Sequence, residues 1–292
     1  MTYGAQNDYG KIEKILVKHV RDAFINQENI DKQWQNLNYY ERPNYDKSLI
    51  EYNALIEKIA SVGCEIHYLP RNSDVSIDSI YPRDAAISTS KGIILCNMGK
   101  AERSDEPELL KEYFGKISVP IWGSISGDGR VEGGDIIWLD GDILVVGRDY
   151  RTNDEGIRQL KQLLNGIAKE VIAVPLVHWE SPSDVFHLMS IISPIDKDLT
   201  LVYPRLLPVP FRELLINKGI QLVEVPDEEF ESMGCNVLAL APRKCLMLDG
   251  NPITKKRLES AGAEVLTYSG NEISRKGAGG PTCMTRPFKR QG

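Results

Sequence analysis

Nowhere does this sequence carry a run approaching the roughly 18 apolar residues of a membrane-spanning helix. Its start, MTYGAQNDYGKIEKILV, lacks the basic first residues and the continuous apolar stretch of a signal peptide. A cytoplasmic protein without membrane contact is therefore expected. Positive charge is not in excess either. Lys and Arg number 35 against 41 Asp and Glu, a formal net charge of −6, so the concentrated basic surface that nucleic acid requires is not expected. A small cationic ligand suits this balance better. Cysteine is sparse and odd in number, with five residues at Cys64, Cys96, Cys235, Cys245 and Cys283 and no C-x-x-C spacing. That pattern argues against a disulfide framework and against a zinc site, so no metal and no cofactor are expected. Cys64, Cys96 and Cys245 lie inside the apolar runs VGCEIHYL, GIILCNM and RKCLMLDG and read as small core residues, whereas Cys283 stands apart.

What is present is ordinary in amount and unusual in arrangement. The 292 residues are 42% hydrophobic and 26% charged, as in ordered globular proteins, and a single domain over 1–292 is expected. Short β-branched runs follow small or glycine-containing turns at 62–70, 115–122, 168–176, 218–226 and 261–269, and read as strands. Segments with apolar residues at three- and four-residue intervals and polar or proline starts precede them at 44–61, 106–114, 152–167, 210–218 and 253–261, and read as helices. Further strands are expected before the helices at 11–19, 92–98, 141–148, 197–204 and 244–250. Still earlier ones are expected at 84–89, 134–140, 186–193, 234–240 and 282–288.

The unit is strand, strand, helix, strand. Asp84, Asp135, His187, Asn236 and Cys283 mark its start at intervals of 51, 52, 49 and 47 residues. Such regular spacing predicts an α/β fold of five repeats in a ring, a five-bladed α/β propeller, with the N-terminal segment completing the unit that the C-terminal strand begins. Equivalent strand ends then converge on one central cavity. Asp, Asp with Glu132, His, Asn and Cys poorly fill an apolar core and suit chemistry well.

Four ordered segments carry a resemblance: YPRDAAIS (81–88), VEGGDIIW (131–138), FHLMS (186–190) and GGPTCMTRPF (279–288). They resemble the signature segments of the guanidino-group-modifying enzymes, which include dimethylarginine dimethylaminohydrolases, arginine deiminases and amidinotransferases. MGKAERSDEPELL (98–110) and VVGRDYRTNDEG (145–156) resemble the hydrolase branch, and the likeness spans nearly the whole chain. It implies the five-bladed pentein propeller and a small cationic guanidino substrate. It also implies Cys283 as the nucleophile on the guanidinium carbon, His187 as general acid and base, and Asp84 as the carboxylate that binds the guanidinium.

Glu132 is expected either to orient His187 or to hold a guanidinium nitrogen. Arg103 and Arg151 are the two candidates for a substrate carboxylate, with solvated surface positions as the alternative. Asp135 either braces the site or caps a turn, and Asn236 either lines the cavity or satisfies loop backbone groups. Met189 stands where arginine deiminases and amidinotransferases carry a second Asp. Strand alternation would place it on the substrate side, and from this a preference for N-alkylated arginine over arginine is expected; the alternative is a place in the core. Hydrolysis to a ureido product such as citrulline is the expected reaction. Transfer of the amidino group to an acceptor amine, and a non-catalytic binding propeller, are the competing readings.

Overall fold

The computed structural model describes residues 3–179, 181 and 186–292. Strand β1 (Ile12–Val17) leads through helices α1 (Val20–Ala23), α2 (Gln27–Gln33) and α3 (Tyr45–Ala60) to β2 (Glu65–Tyr68). Then come β3 (Ala86–Thr89), β4 (Gly92–Leu95), α4 (Glu106–Lys116) and β5 (Ile121–Ser124). The same order returns as β6 (Ile136–Trp138), β7 (Ile143–Arg148), α5 (Asp154–Leu163) and β8 (Glu170–Pro175), and as β9 (Ile192–Asp196), β10 (Leu199–Val202), α6 (Val209–Asn217) and β11 (Gln221–Glu224). The last repeat is β12 (Leu238–Ala241), β13 (Lys244–Leu248), α7 (Pro252–Ser260) and β14 (Glu264–Tyr268), followed by β15 (Arg286–Arg290).

These form five three-stranded sheets of one plan, β15-β1-β2, β3-β4-β5, β6-β7-β8, β9-β10-β11 and β12-β13-β14. In each, the first strand is antiparallel to the second, and the second is parallel to the third across a helical crossover. The two chain ends meet in one sheet, with Ile15 opposite Pro287 and Leu16 opposite Arg286. The middle strands carry runs such as ILVV in β7 because both of their faces are covered, and the run is buried throughout.

Local signals account for the helix boundaries. The Asn44 side chain caps α3 by accepting from Lys47 N–H, and Asn153 caps α5 by accepting from Gly156 N–H. Proline opens α4, α6 and α7, where a missing N–H costs nothing.

Three expectations need correction. The strand expected at 115–122 begins only at Ile121, because α4 runs on to Lys116 and the chain then reverses through Ser118 at φ 57°. The five landmark residues sit in turns just ahead of the inner strands, not within them: Gly133–Asp135 and Leu188–Ser190 are single 3-10 turns. Helices α1 and α2 are additions to the expected repeat, and the chain just beyond α2 forms a wall of the site.

Among the described residues, no helix is long and apolar enough to cross a membrane. One buried group works against the fold. Lys18, at the end of β1, is fully buried, and its Nζ has no hydrogen-bond partner. Burial pushes its ammonium down to about 8, against the pull of Glu106 and Asp22. The unfolded chain therefore binds this proton more tightly than the native one. The penalty is complete below pH 8 and disappears as pH rises toward the unfolded value of 10.5. We expect Lys18→Met to stabilise the protein by up to about 3 kcal/mol at pH 7. Urea unfolding of both proteins across pH 7 to 10 checks this through a difference that must shrink as pH rises.

Candidate active site

The five landmark turns are joined in a closed circuit of hydrogen bonds. Gly133 N–H donates to the Asp84 carbonyl at 2.9 Å, and Leu188 N–H donates to Asp135 Oδ1 at 2.9 Å. Ser193 Oγ donates to the Cys235 carbonyl at 2.7 Å, and Thr282 Oγ1 donates to Asn236 Oδ1 at 2.8 Å. Arg83 N–H donates to the Cys283 carbonyl at 3.2 Å and closes the loop. The turns are thus tied to their neighbours, with the His187 turn linked on one side through Ser193 of the following strand β9, which fixes short polar side chains without a large apolar anchor.

Beside this circuit lies a cavity of about 500 Å³, a size that suits a small molecule. Cys283, His187, Asp84, Arg103 and Arg151 line it, together with Trp34–Tyr40, Asp78, Tyr81, Lys100 and Gly277–Gly279. A groove of about 580 Å³ between β11 and α7 is larger, but its lining, including Val223, Glu224, Lys256 and Arg257, contains no cysteine or histidine.

His187 is held between carboxylates. Its Nε2 lies 2.9 Å from Glu132 Oε2, and its Nδ1 lies 3.9 Å from Asp84 Oδ1. Burial alone would lower its pKa, but Asp135, Asp84 and Glu132 together hold the ring well above its ordinary value. The three carboxylates thus favour the protonated form of the ring. Burial would raise the Glu132 carboxyl, yet the hydrogen bond and charge of His187, with Arg151 and Arg103, keep it below the usual carboxylate range. Glu132 Oε1 also accepts from the N–H groups of Gly99 and Lys100, at 2.9 and 3.1 Å. This carboxylate orients and charges the imidazole, one of the two expected roles.

Asp84 divides its oxygens. Oδ2 accepts from Arg103 Nη1 at 2.6 Å, whereas Oδ1 is buried, has no hydrogen-bond partner and faces only the His187 ring, at 3.9 Å. A buried carboxylate oxygen left open beside a cavity is costly unless a ligand donates to it, and a planar cation does so well. Asn236 Nδ2 donates to Cys283 Sγ at 3.5 Å and orients the sulfur. Burial pushes the Cys64, Cys96, Cys235 and Cys245 thiols up, away from the thiolate form, and of the five cysteines only Cys283 lines the cavity.

The glycines ahead of Cys283 serve close approach, not unusual backbone. Neither Gly279 nor Gly280 has a positive φ, but a Cβ at Gly279 would strike the Tyr81 ring and one at Gly280 the Asn236 side chain. Gly134 has the same function, since a Cβ there would meet His187 Nδ1 and Asp84 Oδ1. Gly134→Ala should therefore displace the imidazole and lower kcat by at least about 100-fold while the protein stays folded. Steady-state rates and a melting curve on one preparation check both halves.

Three expected substrate contacts are elsewhere, and a fourth, Arg103, is already engaged. Met189 is buried in the apolar cluster with Leu188, Phe186 and Tyr203 and does not line the cavity. The strand alternation that placed it beside substrate fails because residues 188–190 form a 3-10 turn, and the expected preference for N-alkylated arginine loses its basis. Asp135 is fully buried behind His187, accepting from Leu188 N–H and from Thr152 Oγ1 at 2.6 Å; burial pushes its carboxyl up. It braces the site. Asn236 lies under Cys283 and is not part of the cavity wall. Arg103 does line the cavity, but four of its five N–H groups are engaged by Glu106, Asp84 and the Tyr81 carbonyl, so it holds Asp84 in place. Arg151 lines the cavity with Nη1 3.4 Å from Glu132 Oε1.

Sequence reasoning missed Asp78, Lys100 and the segment 34–40. Only α2 and its irregular continuation bring that segment over the site, and no periodic pattern marks it.

Among the described residues, one set could bring metal-ligating atoms within 4.8 Å of one another, namely Asp84, Glu132 and His187. It suits a cation poorly. His187 Nε2 is already engaged with Glu132 Oε2 at 2.9 Å, so two of the three residues are bonded to each other.

A thiol, an imidazole between carboxylates and a carboxylate with an unused oxygen around one cavity, on five repeats of one sheet plan, fit the guanidino-group-modifying class. The chain belongs to the family described as N,N dimethylarginine dimethylhydrolase, eukaryotic, whose model matches residues 21–290. A dimethylarginine dimethylaminohydrolase of Pseudomonas aeruginosa is 28% identical over 85% of this chain and 91% of its own length. An arginine deiminase of Mycoplasma capricolum is 26% identical over 92% of this chain and 76% of its own. Among solved structures, a cysteine-to-serine variant of the Pseudomonas aeruginosa enzyme complexed with citrulline superimposes with a TM-score of 0.77 at 24% identity, covering 95% of this chain and all of that one. An amidinotransferase from Microseira wollei gives 0.78 at 17% identity, over 99% of this chain and 98% of that one. The two superpositions establish a shared fold.

Proposed function

We propose that this protein is a cytoplasmic, cysteine-dependent hydrolase of guanidino compounds, built as one five-bladed α/β propeller over 1–292. The observation that carries the reading is Asp84 Oδ1, a buried acceptor without a hydrogen-bond partner, on a residue that lines the cavity shared by Cys283 and His187. A guanidinium donating to that oxygen presents its planar carbon to a nucleophile at the cavity wall.

Cys283 releases its thiol proton to water as the cationic substrate binds and adds to this carbon as the thiolate, giving a neutral tetrahedral adduct. His187, in its protonated form, gives its proton to the departing nitrogen, and ammonia or an amine leaves as the adduct collapses to a thiouronium on Cys283. The imidazole is then neutral and takes a proton from water as the hydroxide adds to the same carbon. Collapse of the second adduct breaks the C–S bond, the hydroxyl proton passes to the departing sulfur and restores the thiol, and a ureido product leaves. Glu132 and Asp135 stabilise the imidazolium that forms twice in this cycle, and Arg151 faces a substrate carboxylate.

Incubating the protein with arginine, methylated arginines, agmatine and guanidino acids and assaying ureido product tests the reading. Product formed with water alone supports hydrolysis. Turnover only with an added acceptor amine means transfer, and turnover of no guanidine rejects the proposal.

A further inference from the structure

Resting on that reading, we infer that Lys100 sets the substrate class: the far end of the substrate carries a carboxylate and no ammonium. Lys100 Nζ donates to Asp78 Oδ2 at 2.6 Å and to the Leu37 carbonyl at 2.8 Å. All three residues line the same cavity as Cys283. The Lys100 and Asp78 side chains are only 10% and 6% exposed, so this is a buried ion pair, not a surface contact.

A carboxylate and a carbonyl oxygen facing one point make a receptor for a primary ammonium, and the chain fills that receptor with its own. An amino-acid substrate would have to expel Lys100 and strand a buried charge, or leave its own ammonium beside Lys100. A carboxylate meets the opposite field. It finds the remaining N–H of the Lys100 ammonium and the Arg151 guanidinium, both of which line the cavity. The cavity thus offers a carboxylate with an unused acceptor for one cation, at Asp84, and cations for one anion. This polarity matches a guanidino acid. Arginine carries one ammonium too many, and agmatine lacks the anion.

The test uses compounds that differ only at that end: δ-guanidinovalerate, which is arginine without its α-ammonium, then arginine, then agmatine. The wild-type kcat/KM should favour δ-guanidinovalerate over arginine by about 100-fold, the scale on which a misplaced buried charge discriminates. Lys100→Ala vacates the receptor, and arginine turnover should rise in absolute terms by at least about tenfold, a gain that misfolding cannot produce. Binding of the unreactive ureido analogues, δ-ureidovalerate against citrulline, is read by calorimetry on the wild-type protein and does not depend on catalysis. Tighter binding of δ-ureidovalerate supports the inference even if no turnover is found, which would reject the hydrolase reading alone. Arginine or citrulline preferred by the wild type, no binding of either analogue, or a selectivity unchanged in Lys100→Ala overturns it.

Discussion

Cys283→Ser is expected to lower kcat/KM by at least about 10⁴-fold and to leave the fold and the binding of substrate intact. The size of the loss follows from the chemistry. A serine hydroxyl needs a strong base to attack a resonance-stabilised cation, and the neighbouring His187 is already charged, so it cannot accept that proton. Sulfur needs far less help. The small effect on stability follows from position, because Cys283 is half-buried at the cavity wall and Ser nearly matches its volume. Asn236 and Thr282 can hydrogen-bond a hydroxyl as they do the sulfur. Cys64→Ser, the other partly exposed thiol, should leave the rate unchanged. Turnover of Cys283→Ser within tenfold of wild type would remove Cys283 from the mechanism.

The repeat was legible because it is written twice, once in hydrophobic period and once in the spacing of Asp84, Asp135, His187, Asn236 and Cys283. Each middle strand is covered on both faces, so its apolar run is continuous and readable, and the crossover helices open on Asn or Pro for reasons that act within one turn of chain. What the sequence could not settle is which way a side chain faces once a strand gives way to a turn. Met189 shows the cost: a 3-10 turn in place of a strand rotates it from the expected cavity side into the core. Arg103 shows another limit. Its partner Glu106 is three residues away and visible as a helical pair, but its bond to Asp84 depends on how β3 and α4 are placed in space. Lys100 is the clearest case. It lies in a segment that resembles the hydrolase branch, yet its meeting with Asp78 and Leu37 arises because the chain after α2 folds over the cavity, and no local pattern encodes that contact.

Removing the imidazole should have two effects. In His187→Gly the second half of the reaction loses its base, so wild-type turnover should fall by at least about 10³-fold and an adduct should persist on Cys283, visible as added mass on the intact protein. Imidazole supplied in the buffer should enter the space and restore part of the rate, which a mere packing defect would not allow. The second effect is on stability. In the wild type the raised His187 pKa contributes stability that is complete below its unfolded value of 6.5 and is lost as pH rises through the higher folded value. In the variant that contribution is gone, and Glu132 loses the hydrogen bond and charge that opposed its burial. Its carboxyl then sits above the unfolded value of 4.5, so the native state binds the extra proton and the variant should weaken as pH rises from 4.5 toward neutrality. The stability difference between the two proteins should therefore widen between pH 4.5 and 6.5, by about 1 kcal/mol or more, because the buried carboxylate keeps only the Gly99 and Lys100 N–H groups and Arg151. Chemical denaturation at a series of pH values reads it directly. A constant difference would mean that Glu132 does not depend on His187, and an unimpaired rate would remove the imidazole from both proton transfers.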